Sequence, residues 1–204
     1  MRWEPKLKPD LTKVIKIQED LQVPEPIAAL LIQRGIEDFD TAKAFFRPQL
    51  ANLHDPFLMK DMDLAVNRID QAFRDQETLM VYGDYDVDGT TSVALVYSFL
   101  RPYFQNIIPY IPDRYEEGYG ISFKGIDVAS EKGITLIIAL DCGIKAIEKV
   151  AYAKTKGIDF IICDHHLPGD EIPEARAVLD PKREDCGYPY KELCGCGIGF
   201  KLLQ

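Results

Sequence analysis

In the stretch Tyr82-Gly83-Asp84-Tyr85-Asp86-Val87-Asp88-Gly89, three carboxylates occupy alternate positions and stop at a glycine. Farther on, Asp141 follows the apolar run "TLIIAL" (135–140), and Asp164, His165 and His166 follow "DFIIC" (159–163). Carboxylates with imidazoles suit Mn2+, and hard carboxylates also accept Mg2+. Two such cations roughly 3.5–4 Å apart can activate water against a phosphate ester and stabilise the leaving oxygen. That chemistry requires the acids and histidines to converge, so the elements that carry them decide the matter.

Five short apolar runs predict strands: 78–82, 106–111, 135–140, 159–163 and 175–180. Between them lie helical stretches at 90–104, 122–133 and 145–157, the last two closing on Gly133 and Gly157 as helices often do. Alternating strands and helices imply parallel βαβ units, and nearly all-apolar strands imply a sheet covered on both faces. The expected fold is therefore α/β, a mainly parallel Rossmann-like sheet with helices on both faces. Ligands of such sheets bind beyond the carboxyl ends of the strands, where Asp84, Asp86, Asp88, Asp141, Asp164, His165 and His166 all fall. Asp141, alone at its strand end, is placed to bridge two cations. Adjacent histidines on an extended backbone point to opposite sides, so one is expected to ligate and the other to reach the phosphate.

Residues 1–55 form a separate small helical segment ahead of the sheet domain at 56–204. Its helices are expected within 23–35 and 38–48, the second with Asp40 as N-cap, Pro48 as stop, and Phe45 and Phe46 as packing residues. A helix over 61–76 carries Leu64, Ile69, Ala72 and Phe73 at helical spacing.

With 33 acidic against 24 basic residues the net charge is −9, which argues against broad, purely electrostatic nucleic-acid binding. It leaves a nucleic-acid substrate open, since clustered metal-binding carboxylates contribute to that charge. Five cysteines at irregular spacing point away from a disulfide framework and toward a reducing cytoplasm. Cys186, Cys194 and Cys196 lack paired zinc spacing, and His54 beside Asp55-Pro56 reads as a loop residue. No apolar run reaches membrane-spanning length, so no membrane association is expected.

Local strings leave several chemistries to compare. An EF-hand loop starting at Asp84 would need a bidentate Glu at its twelfth position, where Leu95 stands. "DVDGT" (86–90) also resembles the nucleophile motif of haloacid-dehalogenase phosphatases, with Asp86 attacking phosphorus and Asp88 as acid/base. Lys145 could serve there, but no later acidic pair follows and the two histidines would go unused. A cysteine phosphatase loop needs an arginine six positions on, where Cys142 finds Glu148 and Cys163 finds Gly169. A dinucleotide site would want a glycine-rich turn where three carboxylates stand.

In that order, "VYGDYDVDGTTS", "IIALDCGI" and "FIICDHHLPG" resemble motifs I, II and III of the DHH phosphoesterase superfamily. "IPDRYEEGYGIS" (111–122), the segment 178–203 and the N-terminal "AALLIQRGI…AKAFFRPQL" resemble its single-stranded-DNA exonuclease branch. Other branches start motif I with a histidine where this chain has Tyr82. The resemblance implies a two-metal hydrolase acting on ester bonds, which degrades single-stranded DNA 5′ to 3′ into 5′-phosphomononucleotides during repair and recombination. It implies Mn2+ or Mg2+ held by Asp84, Asp86, Asp88, Asp141 and His165, with Asp141 shared and catalytic. His166 would stand against the scissile phosphate as the second catalytic residue, with Asp164 orienting its neighbours. Arg114, Gly118, Tyr119 and Gly120 would contact substrate phosphate, and single-stranded-DNA-binding protein and a helicase would be partners. A fourth motif and C-terminal domains lie beyond residue 204 in that branch. The chain is thus expected to be the N-terminal part of a longer protein, with an incomplete second metal site and little activity alone. The competing functions are a phosphodiesterase of small molecules or short oligonucleotides, and a non-catalytic nucleic-acid-binding scaffold.

Overall fold

A computed structural model describes residue 4 and residues 6–204. It divides into two compact units, 1–53 and 54–204, two residues ahead of the boundary expected from sequence.

In the first unit, α1 (Leu11–Leu21) is capped by Asp10, which accepts the Thr12 N–H at 2.8 Å. Pro24 precedes α2 (Glu25–Ile32), and α3 (Phe39–Phe46) follows. The cap of α3 is Asp38, not the expected Asp40: Asp38 has the extended backbone of an N-cap and accepts the Thr41 N–H at 2.8 Å. Asp40 instead lies inside the first turn, where the helix dipole favours an acid. Val14, Ile17, Ala28, Leu31, Ile36 and Ala42 form a small core. Phe45 and Phe46 stay outside it, edge to face and more than half exposed.

The second unit is built on strands β1 (Leu79–Gly83), β2 (Ile107–Tyr110), β3 (Leu136–Leu140), β4 (Asp159–Cys163) and β5 (Ala177–Leu179). All pairings are parallel and the order is β2-β1-β3-β4-β5. Side chains alternate across a strand, so the two faces of the sheet can be read from the core. Leu79, Val81, Leu136, Ile138, Leu140 and Ile161 pack with α4 (Met62–Arg74), α5 (Val87–Leu100) and α8 (Gly195–Leu203). Met80, Tyr82, Ile137, Ala139, Phe160 and Ile162 pack with α6 (Phe123–Glu131) and α7 (Ile147–Thr155). A chain that moves one way from β1 to β2 and the other way to β3 must cross on opposite faces to keep right-handed crossovers.

The buried row of α4 differs from the expected one. Met62, Ala65, Arg68 and Ala72 face inward, while Leu64 and Phe73 are about half exposed. Arg68 sets this rotation: it pairs bidentately with Glu77 (3.0 and 2.8 Å) and with Asp159 (2.6 Å) at the amino ends of β1 and β4. No helix among the described residues is long and apolar enough to cross a membrane.

Candidate metal centre

The strand registers align the acids. Gly83 pairs with Leu140, Leu140 with Cys163, and Cys163 with Leu179. The next residues are Asp84, Asp141, Asp164 and Asp180, so four neighbouring strands end in an aspartate at one level. The strand order reverses between β1 and β3, which opens the ligand crevice of a doubly wound sheet beside Asp84 and Asp141.

At the end of β1, Asp84 is buried and faces the Gly120 N–H at 3.5 Å. Burial, reinforced by Asp86, raises its pKa. Asp86 caps α5 by accepting the Gly89 N–H at 2.9 Å. Gly89 is required here, because a Cβ would stand 2.4 Å from the Asp84 carbonyl oxygen. Asp88, in the first turn of α5, crosses to the start of α8, where the Gly195 and Cys196 N–H groups donate to its two oxygens at 2.7 and 2.8 Å.

Asp141 follows β3 with φ +60°, a left-handed conformation rarely adopted outside glycine, asparagine and aspartate. Its side chain is buried, and Oδ1 has no hydrogen-bond partner among the described residues. His165 Nε2 lies 3.1 Å from that oxygen without the alignment of a hydrogen bond, and 3.7 Å from Asp88 Oδ2. Burial, with Asp88 and Asp86 adding repulsion, pushes the Asp141 carboxyl up to about 8. A buried orphan oxygen beside an imidazole nitrogen is costly unless a cation joins them. Two ligands at right angles about 2.1 Å from one ion stand about 3 Å apart, so this pair suits a divalent cation. Asp141, His165 and His166 each offer a ligand atom, all within 4.8 Å of one another. Asp84, Asp86 and Asp88 stand outside that trio, Asp88 nearest through its Oδ2 at 3.7 Å from His165 Nε2.

Asp164 organises the histidines. Its Oδ2 accepts the Ile144 N–H at 2.9 Å, and its Oδ1 accepts the backbone N–H of His165 (2.7 Å) and His166 (3.1 Å) and the His166 Nδ1–H (2.7 Å). The chain therefore wraps around one carboxylate instead of remaining extended. The two imidazoles end up side by side, ring centroids 4.6 Å apart, not on opposite sides as expected. Burial alone would push Asp164 up, but the bonds from His166 and Ile144 outweigh it and hold it below the ordinary carboxylate range. The same bond from His166 to Asp164 raises the His166 pKa against its partial burial. A carboxylate only accepts, so His166 carries its proton on Nδ1 and presents Nε2 to the Tyr119 hydroxyl at 3.1 Å.

Tyr119 sits between two positive-φ glycines, Gly118 (+80°) and Gly120 (+75°). Tyr119, Gly120, Asp164 and His166 line a cavity of about 260 Å3. Arg114, exposed, lies over the Tyr85 ring at 5.3 Å, and Gly118 has open space beside it.

Several residues have roles here that the sequence pattern does not assign to them. Gly195 and Cys196 hold Asp88, and their signal was the closely spaced glycines in "CGCGIG" (194–199). Asp180 is fully buried with Oδ2 unpartnered, and burial pushes it up to about 6. Its signal was its position closing "AVLD" (177–180). Among the cysteines, Cys194 caps α8 by accepting the Gly197 N–H at 3.4 Å, and all five are free thiols. His54 packs edge to face on Tyr188, and its carbonyl accepts from Lys201 at 2.7 Å.

Residues 78–204 match the model of the DHH family, N-terminal domain. The chain is 44% identical to the single-stranded-DNA-specific exonuclease RecJ of Bacillus subtilis over 204 residues, all of this chain and 26% of that protein. It is 29% identical to RecJ of Thermus thermophilus over 206 residues, spanning 29% of that protein. The chain thus spans about a quarter to a third of the length of these relatives. Among solved structures it resembles RecJ in complex with Mn2+ from Thermus thermophilus, with TM-score 0.74, 26% identity, and coverage of 97% of this chain and 27% of that one. A second, exonuclease RecJ bound to manganese, gives TM-score 0.65 and 30% identity over 71% of this chain and 37% of that one.

Proposed function

This chain belongs to the DHH family, and from that premise we propose that it carries metal-binding residues of a single-stranded-DNA exonuclease that releases 5′-phosphomononucleotides in DNA repair and recombination. The observation that carries the reading is the buried, unpartnered Asp141 Oδ1 with His165 Nε2 at 3.1 Å, a donor pair spaced for a cation. Identity of 44% to RecJ of Bacillus subtilis supports the substrate class, and RecJ structures holding Mn2+ support the metal.

Asp88, Asp141 and His165 would hold one Mn2+ or Mg2+, with Asp84 and Asp86 on the neighbouring strand end available to a second. When bound, the pair supplies Lewis acidity and neutralises charge on the phosphate. The chain's own contribution is positional. Asp164 fixes His166 with Nδ1 protonated and its pKa raised, so that imidazolium can donate from Nε2 to a phosphate or leaving oxygen. The α8 N–H groups fix Asp88 in place while leaving lone pairs on both oxygens. The free thiols support a reducing, cytoplasmic setting.

The test uses the intact, longer protein with Mn2+ or Mg2+ on end-labelled single-stranded, duplex and dinucleotide substrates. The expected result is release of 5′-mononucleotides from single strands, abolished by Asp141→Ala. Cleavage of dinucleotides alone would remove the exonuclease assignment, and full activity in Asp141→Ala would remove the metal assignment.

A further inference from the structure

The cavity beside His166 has a second wall that the metal chemistry does not use. Beyond Asp164 and His166 it is bounded by the turn after β3 and the start of α7, including Lys145 and Lys149. Neither lysine forms an ion pair among the described residues. By contrast, Lys154 in the last turn of the same helix pairs with Glu174, and Lys156 just beyond it pairs with Asp127. Lys149 is held by an aromatic face instead, its Nζ 5.4 Å from the Phe123 ring centroid, which keeps its charge uncompensated. In a chain with net charge −9, two unpaired ammonium groups at one cavity mouth are a local reversal of the overall field.

The cations proposed above would neutralise the scissile phosphate but not the next phosphate along a strand. That phosphate needs a cationic partner of its own past His166, and lysines are effective point-charge partners for phosphate. The cavity, about 260 Å3, falls just under the ~300–1,000 Å3 of drug-sized ligand pockets, a size for one nucleotide unit and not for a base pair.

Resting on the exonuclease reading above, we propose that Lys145 and Lys149 form a subsite for the phosphate next to the scissile one on a single strand, with His166 as the wall shared by the two positions. These two residues act on binding and not on the bond being broken.

The experiment measures binding of a 3′-fluorescent oligothymidylate with nuclease-resistant phosphorothioate linkages to the full 204-residue chain in Mn2+, as a function of salt. Lys145→Gln/Lys149→Gln is compared with Lys154→Gln/Lys156→Gln, which removes the same charge at the other end of α7. The first variant is expected to weaken binding about tenfold at ~0.1 M salt and to flatten the log–log salt slope by about 0.7, the value for one phosphate contact on a single strand. The second should bind as the unaltered chain does. Equal affinity and slope in the first variant would overturn the subsite while leaving the exonuclease reading, tested separately through Asp141, intact. Equal weakening by both variants would reduce the effect to general electrostatics and overturn it too, as would absence of any binding by the unaltered chain.

Discussion

Gly195 approaches Asp141 so closely that a Cβ on it would stand 2.6 Å from the Asp141 Cβ and Oδ1. The same glycine donates its N–H to Asp88 at 2.7 Å. One backbone position on α8 therefore touches two of the candidate ligands, which come from different strand ends, and only a residue without a side chain fits there. Gly195→Ala is expected to push α8 away from β3, to lower Mn2+ affinity at least tenfold, and to cost about 1–3 kcal/mol of stability from overpacking. Calorimetric titration with Mn2+ and urea unfolding check this. Unchanged affinity in a folded variant would dissociate α8 from the site.

Asp164→Asn tests whether one carboxylate sets the state of His166. The bond to Asp164 is the main cause of the raised His166 pKa, so the variant should return the imidazole toward its ordinary ~6.5. A histidine raised in the folded state adds stability that is complete below its unfolded pKa and fades as pH rises through the folded one. The variant should therefore lose stability relative to the parent below about pH 6.5 more than above the folded value of His166. Proton NMR of the His166 ring across pH reads the shift directly. An unmoved titration midpoint would assign the shift to another group.

Much of this architecture was legible because the strands are buried on both faces and read as unbroken apolar runs, each ending in an acid. Asp84, Asp141 and Asp164 could be placed at one edge from those runs alone. What could not be read depends on contacts between segments far apart in the chain. The rotation of α4 follows from Arg68, a charged residue that is buried because Glu77 and Asp159 meet it. The shared direction of His165 and His166 follows from backbone N–H groups wrapping one carboxylate, which no alternation rule anticipates. The need for Gly195 appears only once α8 packs against the end of β3.

Cation binding should be tied to proton release from Asp141. With its pKa pushed up to about 8 by burial and by Asp88 and Asp86, this carboxyl is mostly protonated in the metal-free chain at neutral pH. A ligating carboxylate must be ionised, so a divalent cation has to displace that proton. Mn2+ affinity is expected to rise up to about tenfold per pH unit below the Asp141 value and to level off above it. At about pH 7, titrations in buffers of different ionisation enthalpy should report release of close to one proton per cation bound at this carboxylate. Chelating the metal should return it. Affinity that stays flat between about pH 6 and 8 would mean that Asp141 is already ionised in the metal-free chain.

Asp180 is the aspartate in the edge row that neither joins the candidate ligands nor holds a histidine, and its cost should be measurable. It is fully buried, Oδ1 accepts the Lys182 N–H at 2.7 Å, and Oδ2 has no partner. Burial raises it from 3.8 to about 6. The folded state therefore holds the proton more tightly than the unfolded chain, so stability is greatest below the unfolded value and falls as pH rises through the folded one. A shift of about two units at ~1.4 kcal/mol each sets an upper bound of about 3 kcal/mol lost above that range. Asparagine keeps the oxygen that caps Lys182 and never ionises. Asp180→Asn is thus expected to stabilise the chain by about 1–3 kcal/mol at about pH 8, by about a third of that at about pH 4.5, and by almost nothing at about pH 3, measured by urea unfolding at all three. A variant less stable than the parent at the higher pH would mean that ionised Asp180 has a compensating partner.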